Sequence, residues 1–152
     1  YGASAVSHGL MPTAQRFLVR DIVEKADSCL KLDHRSATMR FGHESVVLPL
    51  VCLLDIDGYG LETSNMDSLE NYGWINTKIY PMGCNVQFVF YKPTDSKSKK
   101  PVLVKVLLNE EEATLPIEGY PIPTAQERSS TGAPFYTWHD LRSYLMKKAG
   151  MK

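Results

Sequence analysis

His43 and Glu44 stand side by side in the stretch Ala37–Leu54, A-T-M-R-F-G-H-E-S-V-V-L-P-L-V-C-L-L. An imidazole can donate to the oxygens of an anion, and a carboxylic acid can deliver a proton to a departing alcohol. Together they have the parts that cleavage of a phosphate ester needs, while on the residues alone the plainer reading is that His43 caps the following helix and Glu44 complements its dipole. Carboxyl chemistry of that kind needs a pKa raised toward working pH, which a neighbouring dianion and partial burial supply. The flanking sequence predicts how the pair is positioned. A short apolar strand, Ala37–Phe41, runs into Gly42, and an apolar helix begins around Ser45 with Pro49 in its first turns. In open α/β sheets, ligands bind beyond the carboxyl ends of strands, and the unpaired N–H groups of a helix start favour anions. An anionic substrate is the expectation.

Around this stretch the chain reads as one domain. Its 152 residues suffice for one compact core, and 43% hydrophobic with 22% charged residues lies in the globular range, away from disordered composition. Lys plus Arg and Asp plus Glu balance at 17 each, which removes a global electrostatic case for nucleic acid. No apolar run approaches the roughly 20 residues a membrane span needs. Tyr1–Ala5 has neither the basic nor the apolar region of a secretory signal. Cys29, Cys52 and Cys84 form no C-x-x-C pair and do not make a disulfide scaffold.

In chain order, an amphipathic helix is predicted from Thr13 to about Lys31, with Leu18, Ile22, Ala26 and Cys29/Leu30 on its apolar face. Asp33–Ser36 connects it to the strand, so helix, strand and helix predict a parallel α/β unit. Asp55–Asn76 is a polar loop. Its Asp55-Ile56-Asp57-Gly58 opening resembles a calcium loop, but the twelfth position is Met66 rather than Glu. Asn85–Tyr91 and Val102–Leu108 predict an antiparallel hairpin with a lysine-bearing tip, Lys92–Pro101. Asn109–Glu112 is an acidic turn, Ala113–Ile117 a short extended segment, and Glu118–Ala133 irregular. Thr137 is the predicted N-cap of a last helix, Trp138–Ala149, stopped by Gly150.

Other chemistries are poorly supported. His8, His34, His43 and His139 show no H-x-x-x-H or H-E-x-x-H pairing, so no metal site is expected. No G-x-S-x-G elbow is present.

The run Arg40-Phe41-Gly42-His43-Glu44 followed by Leu48-Pro49-Leu50 resembles the second signature of the histidine acid phosphatases, the branch of the histidine phosphatase superfamily that includes phytases and multiple inositol polyphosphate phosphatases. In that family the strand ends in His-Asp or His-Ala-Glu; here the pair is His-Glu. Further similar stretches follow in order: Pro81-Met82-Gly83-Cys84-Asn85 into Val86–Tyr91, Val102–Asn109 with Ala113-Thr114-Leu115-Pro116, and Trp138-His139-Asp140-Leu141. The family's nucleophile is the histidine of an Arg-His-Gly-x-Arg motif. This chain has none: Ser7-His8-Gly9-Leu10 is the nearest string and lacks both arginines.

The resemblance thus implies the C-terminal part of a bacterial histidine acid phosphatase, an α/β fold of the phosphoglycerate mutase type completed by a missing N-terminal part of the same polypeptide. It implies phosphomonoester hydrolysis through a phosphohistidine, without cofactor or metal, in the periplasm or outside the cell. His43 would bind the phosphoryl group, Glu44 would be the general acid, and Arg40 would be a possible substrate contact or a structural residue. The 152 residues alone would be inactive. The alternative is a non-catalytic module that binds a phosphorylated ligand or a protein.

Overall fold

The computed structural model describes residue 2 and residues 7–95 and 97–151. It is a mixed structure of helices and an antiparallel sheet. The predicted first helix is two: α1, Leu10–Ala14, and α2, Arg16–Cys29. Gln15, at φ −81° and ψ −1°, joins them. The face that α2 buries is rotated by one residue from the predicted one. Val19 and Val23 are buried, while Leu18 and Ile22 pack only partly against the core.

The predicted strand Ala37–Phe41 does not form. Residues 35–43 have no regular structure, and residues 33–42 make no backbone–backbone hydrogen bond among the described residues. Met39 is 76% exposed and Phe41 95%. The parallel helix-strand-helix unit is therefore absent among the described residues, where every strand pairing is antiparallel. A β-prone sequence becomes a strand only when a neighbour takes up its N–H and C=O groups, and no described segment lies alongside to do so.

The helix after it, α3 (Glu44–Leu53), forms where predicted. Leu48, Pro49, Leu50, Val51 and Cys52 are all buried, so α3 is hydrophobic around most of its circumference and runs through the core. Pro49 removes one helical N–H, that toward the Ser45 carbonyl. Burial pushes the Cys52 thiol up to about 11, which makes it a small apolar core residue, as its sequence context indicated.

The loop that follows contains two 3-10 turns, Ile56–Gly58 and Met66–Tyr72, and a single helical turn, α4 (Asn76–Ile79). The hairpin is as predicted: β1 (Val86–Tyr91) pairs with β2 (Leu103–Leu108), Val86 opposite Leu108 and Tyr91 opposite Leu103. A two-residue turn, Asn109 and Glu110 at φ 52° and 69°, leads to β3 (Glu111–Ala113). Both residues are left-handed, the geometry that matches strand twist in a tight hairpin. Asn109 suits the position and also donates its amide to the Ile79 carbonyl at 2.9 Å. The fourth strand, β4 (Tyr136–Thr137), pairs with the other end of β2.

Val104, Val106 and Leu108 face the helices and are buried. Lys105, on the opposite face, is 6% exposed. Its ammonium donates to Glu112 Oε2 at 2.7 Å and to the Ala133 carbonyl, and lies 4.4 Å from the Phe135 ring centre. A Cβ on Gly132 would stand 2.8 Å from Glu112 Oε2, so this position requires glycine twice over, since its φ is +75°. The Lys105 ammonium, opposed in part by burial and then aided by the Ala133 amide, holds the Glu112 carboxyl below its ordinary value of 4.5. Its folded value lies below its unfolded one, so the stability it contributes is present above pH 4.5 and is lost as pH falls through the folded value. Glu112→Gln is expected to flatten the acid side of the stability profile, read as a smaller change in urea midpoint between about pH 7 and about pH 3.

Segment 118–133 is not wholly irregular. Helix α5, Ala125–Thr131, starts in a capping box in which Thr124 and Glu127 bond reciprocally. Arg128 of α5 reaches Asp57 Oδ1 at 2.5 Å, and the same oxygen accepts from the Thr114 amide and hydroxyl, each at 2.9 Å. Asp57, read above for a calcium loop, thus ties the first 3-10 turn to α5 and the end of β3.

The last helix, α6 (Trp138–Lys148), is capped by Thr137, whose hydroxyl accepts from the Asp140 amide at 3.2 Å, and Gly150 follows it at φ +75°. It packs along α2, where Asp27 receives the Trp138 indole N–H at 3.0 Å and Arg142 at 2.9 Å. Beside it Tyr136 is fully buried, its hydroxyl accepting from the Leu115 amide at 2.8 Å. Tyr136→Phe leaves that amide unpaired inside the core and is expected to cost about 1–3 kcal/mol, measured by urea denaturation.

Candidate functional site

The backbone turns into α3 at His43, which is extended at φ −105° and ψ 169°. Its carbonyl accepts from Val46 N at 2.9 Å and Val47 N at 3.2 Å, while its imidazole makes no capping bond. The side chain is exposed and uncommitted to the helix, so capping does not explain its presence. Glu44 is the first residue of the helix and is also exposed. The amides of Glu44 and Ser45 have no hydrogen bond to the described residues, as expected for an open helix start. The sequence therefore places an imidazole, a carboxyl and two free N–H donors at one end of a buried helix.

A second segment feels the charge of this end. Pro81-Met82-Gly83-Cys84 forms a turn closed by the Cys84 amide on the Pro81 carbonyl at 3.0 Å, with Gly83 at φ +77°. Burial first, and then the negative charge of Glu44, raise the Cys84 thiol above its ordinary value. Met82, in the turn, is fully exposed.

Arg40 is placed differently from an anion clamp. Its guanidinium donates to Asp21 Oδ2 from Nη2 at 2.6 Å and from Nε at 3.1 Å, tying the segment before α3 to α2. Thr38 meets Cys29 in the same way, hydroxyl to thiol at 3.5 Å. Hence of the three site residues read from sequence, His43 and Glu44 stand together in solvent and Arg40 is bound to a carboxylate on another element. His8 and His139 are exposed and on other elements, His8 before α1 and His139 on α6.

Two polar clusters escaped the sequence reading, Lys105–Glu112 and Asp57–Thr114–Arg128. The second joins Asp57 to Arg128, 71 positions apart, and the first draws the Ala133 carbonyl, 28 positions from Lys105, onto the β2–β3 hairpin. One signal was available: T-A-Q-E at 124–127 is a capping-box string that marks the helix carrying Arg128.

No family model matches the chain, and no curated protein matches it. No helix among the described residues is long and apolar enough to cross a membrane.

Proposed function

We propose that this chain supplies the acid half of a phosphomonoesterase site, with His43 binding the phosphoryl group and Glu44 protonating the leaving oxygen in a longer polypeptide of the histidine acid phosphatase type. The observation that carries the reading is the solvent-facing His43–Glu44 pair at the open N-terminus of α3. A phosphoryl oxygen there would meet two free backbone donors, the positive end of the helix and an imidazole. A carboxyl one residue on is within reach of an ester oxygen pointing away from them, and approach of a phosphate dianion would favour its protonated form.

The unpaired segment 33–42 supports the second part of the reading. A run without regular structure or backbone–backbone hydrogen bonds among the described residues, with Met39 and Phe41 in water, fits an unfilled strand position. In the proposal it is filled by strands of the missing N-terminal part, which also bring the nucleophilic histidine and its arginines opposite His43. Attack by that histidine would form an N–P bond as the alkoxide leaves with the Glu44 proton, and water would then release inorganic phosphate. The absence of an Arg-His-Gly-x-Arg string from these 152 residues favours a second reading, a non-catalytic module that binds phosphorylated ligands or a protein.

Phosphate release from 4-nitrophenyl phosphate by the natural polypeptide, with and without His43→Ala, tests the proposal. Activity that falls by about 10²-fold or more on substitution is expected. An inactive natural polypeptide would favour the module.

A further inference from the structure

Strand β1 ends the sheet order and is paired on one side only, by β2. The Asn109 amide donates to the Asn85 carbonyl at 2.9 Å, so these two residues face each other as a hydrogen-bonded pair. Alternation down the antiparallel ladder then gives Gln87, Val89 and Tyr91 the bonds to β2. Val86, Phe88 and Phe90 point their N–H and C=O groups outward, and those groups have no hydrogen-bond partner among the described residues. Their side chains, on the face of Val104, Val106 and Leu108, are only half-buried. Folded proteins guard a free edge with lysine, proline, a bulge or a very short strand. β1 has six residues in continuous register, and no charged residue occurs from Ile79 to Tyr91.

A second unpaired run sets out from the same corner of the sheet. Lys92, the residue after β1, donates to the Leu30 and Leu32 carbonyls at 2.8 Å and 2.9 Å, so residues 33–42 start at the Tyr91 end of that strand. They make no backbone–backbone bond to β1 or to any other described segment, and Arg40 and Thr38 fasten them to Asp21 and Cys29 of α2 instead. An edge that lacks a neighbour and a β-prone run that lacks one have complementary needs, because one strand carries N–H and C=O groups on both of its sides. We infer that β1 and Ala37–Phe41 are the two walls of one slot, filled by a single uncharged strand of the same polypeptide that spans Val86–Phe90 and bonds to both. This rests on the reading that the natural polypeptide is longer, and it adds where the missing strand docks. A second copy of the chain would bring its own β2 behind its β1 and leave Ala37–Phe41 bare. The strand that fits carries apolar residues at every second position, on the side of Phe88 and Phe90.

Amide hydrogen exchange, followed residue by residue in the 152-residue chain and in the natural polypeptide, tests the slot. In the chain, Val86, Phe88 and Phe90 are expected to exchange about 10²-fold or more faster than Gln87, Val89 and Tyr91 at every protein concentration. In the natural polypeptide all six are expected to be slow, with protection gained across Ala37–Phe41 as well. Slow outward amides in the short chain would overturn the inference: if constant, residues 33–42 already cover the edge, and if rising with concentration, a second copy does. Fast outward amides in the natural polypeptide would overturn it too. The two readings fail separately. Fast exchange in a polypeptide that cleaves 4-nitrophenyl phosphate removes the slot alone, and slow exchange in an inactive one removes the phosphatase and leaves the slot.

Discussion

Glu44→Gln in the natural polypeptide is expected to slow hydrolysis of alkyl phosphates by about 10²-fold or more, while turnover of 4-nitrophenyl phosphate stays within a few-fold of wild type. The difference lies in the leaving group. An alkoxide is a poor one and must take a proton as the P–O bond breaks, whereas 4-nitrophenolate departs without help. Glutamine keeps the size and the hydrogen-bonding oxygen of the side chain but has no acidic proton to give. A role for Glu44 in binding or helix stability alone would lower both rates together, so the ratio of the two rates is the readout. Glu44 stands at the first position of α3 and is exposed, which keeps the expected loss of fold stability from this change within about 0.5 kcal/mol. Equal losses on the two substrates would remove the acid role.

The second large effect concerns Phe41. In the 152-residue chain it is 95% exposed, and Phe41→Ser is expected to change stability by no more than about 0.5 kcal/mol. In the natural polypeptide the same change is expected to cost about 3 kcal/mol or more, because the ring would there be packed beneath strands that complete the sheet. Urea denaturation of both proteins, wild type and variant, measures the contrast. A residue that is neutral in one and costly in the other has found its partner in the added sequence. If the two costs are the same, residues 33–42 are a surface loop and the strand reading fails.

How far the sequence led depended on where each element finds its partners. Helix α3 and the hairpin β1–β2 were legible because their apolar runs join one core within these residues, and α6 because Thr137, Asp140 and Gly150 mark its ends locally. The Ala37–Phe41 strand was not realised, although its pattern is as clear as that of β1, because strand formation needs a neighbour that local pattern does not provide. Its loss also removed the parallel unit, which leaves an antiparallel sheet held by hairpin turns. On α2 the apolar residues Leu18 and Val19, and Ile22 and Val23, are adjacent pairs, so periodicity allowed two faces one residue apart; packing against α6 chose the second.

The candidate site divides the same way. That His43 and Glu44 would sit at a helix start followed from Gly42 and the apolar run after it. The commitment of Arg40 to Asp21 joins residues 19 positions apart and left no local mark. Lys105 would pass for a surface lysine in a strand; it is covered because Glu112 is its diagonal neighbour across the β2–β3 ladder and Gly132–Phe135 closes over both.

Rapid-quench experiments in alkaline detergent with phosphoryl-labelled substrate test the central claim most directly. The natural polypeptide, mixed with labelled 4-nitrophenyl phosphate and denatured within milliseconds, is predicted to carry a label that is stable in alkali and lost in acid, the signature of phosphohistidine. The 152-residue chain treated identically is predicted to carry none. An unlabelled natural polypeptide, or a label on these 152 residues alone, would contradict the account.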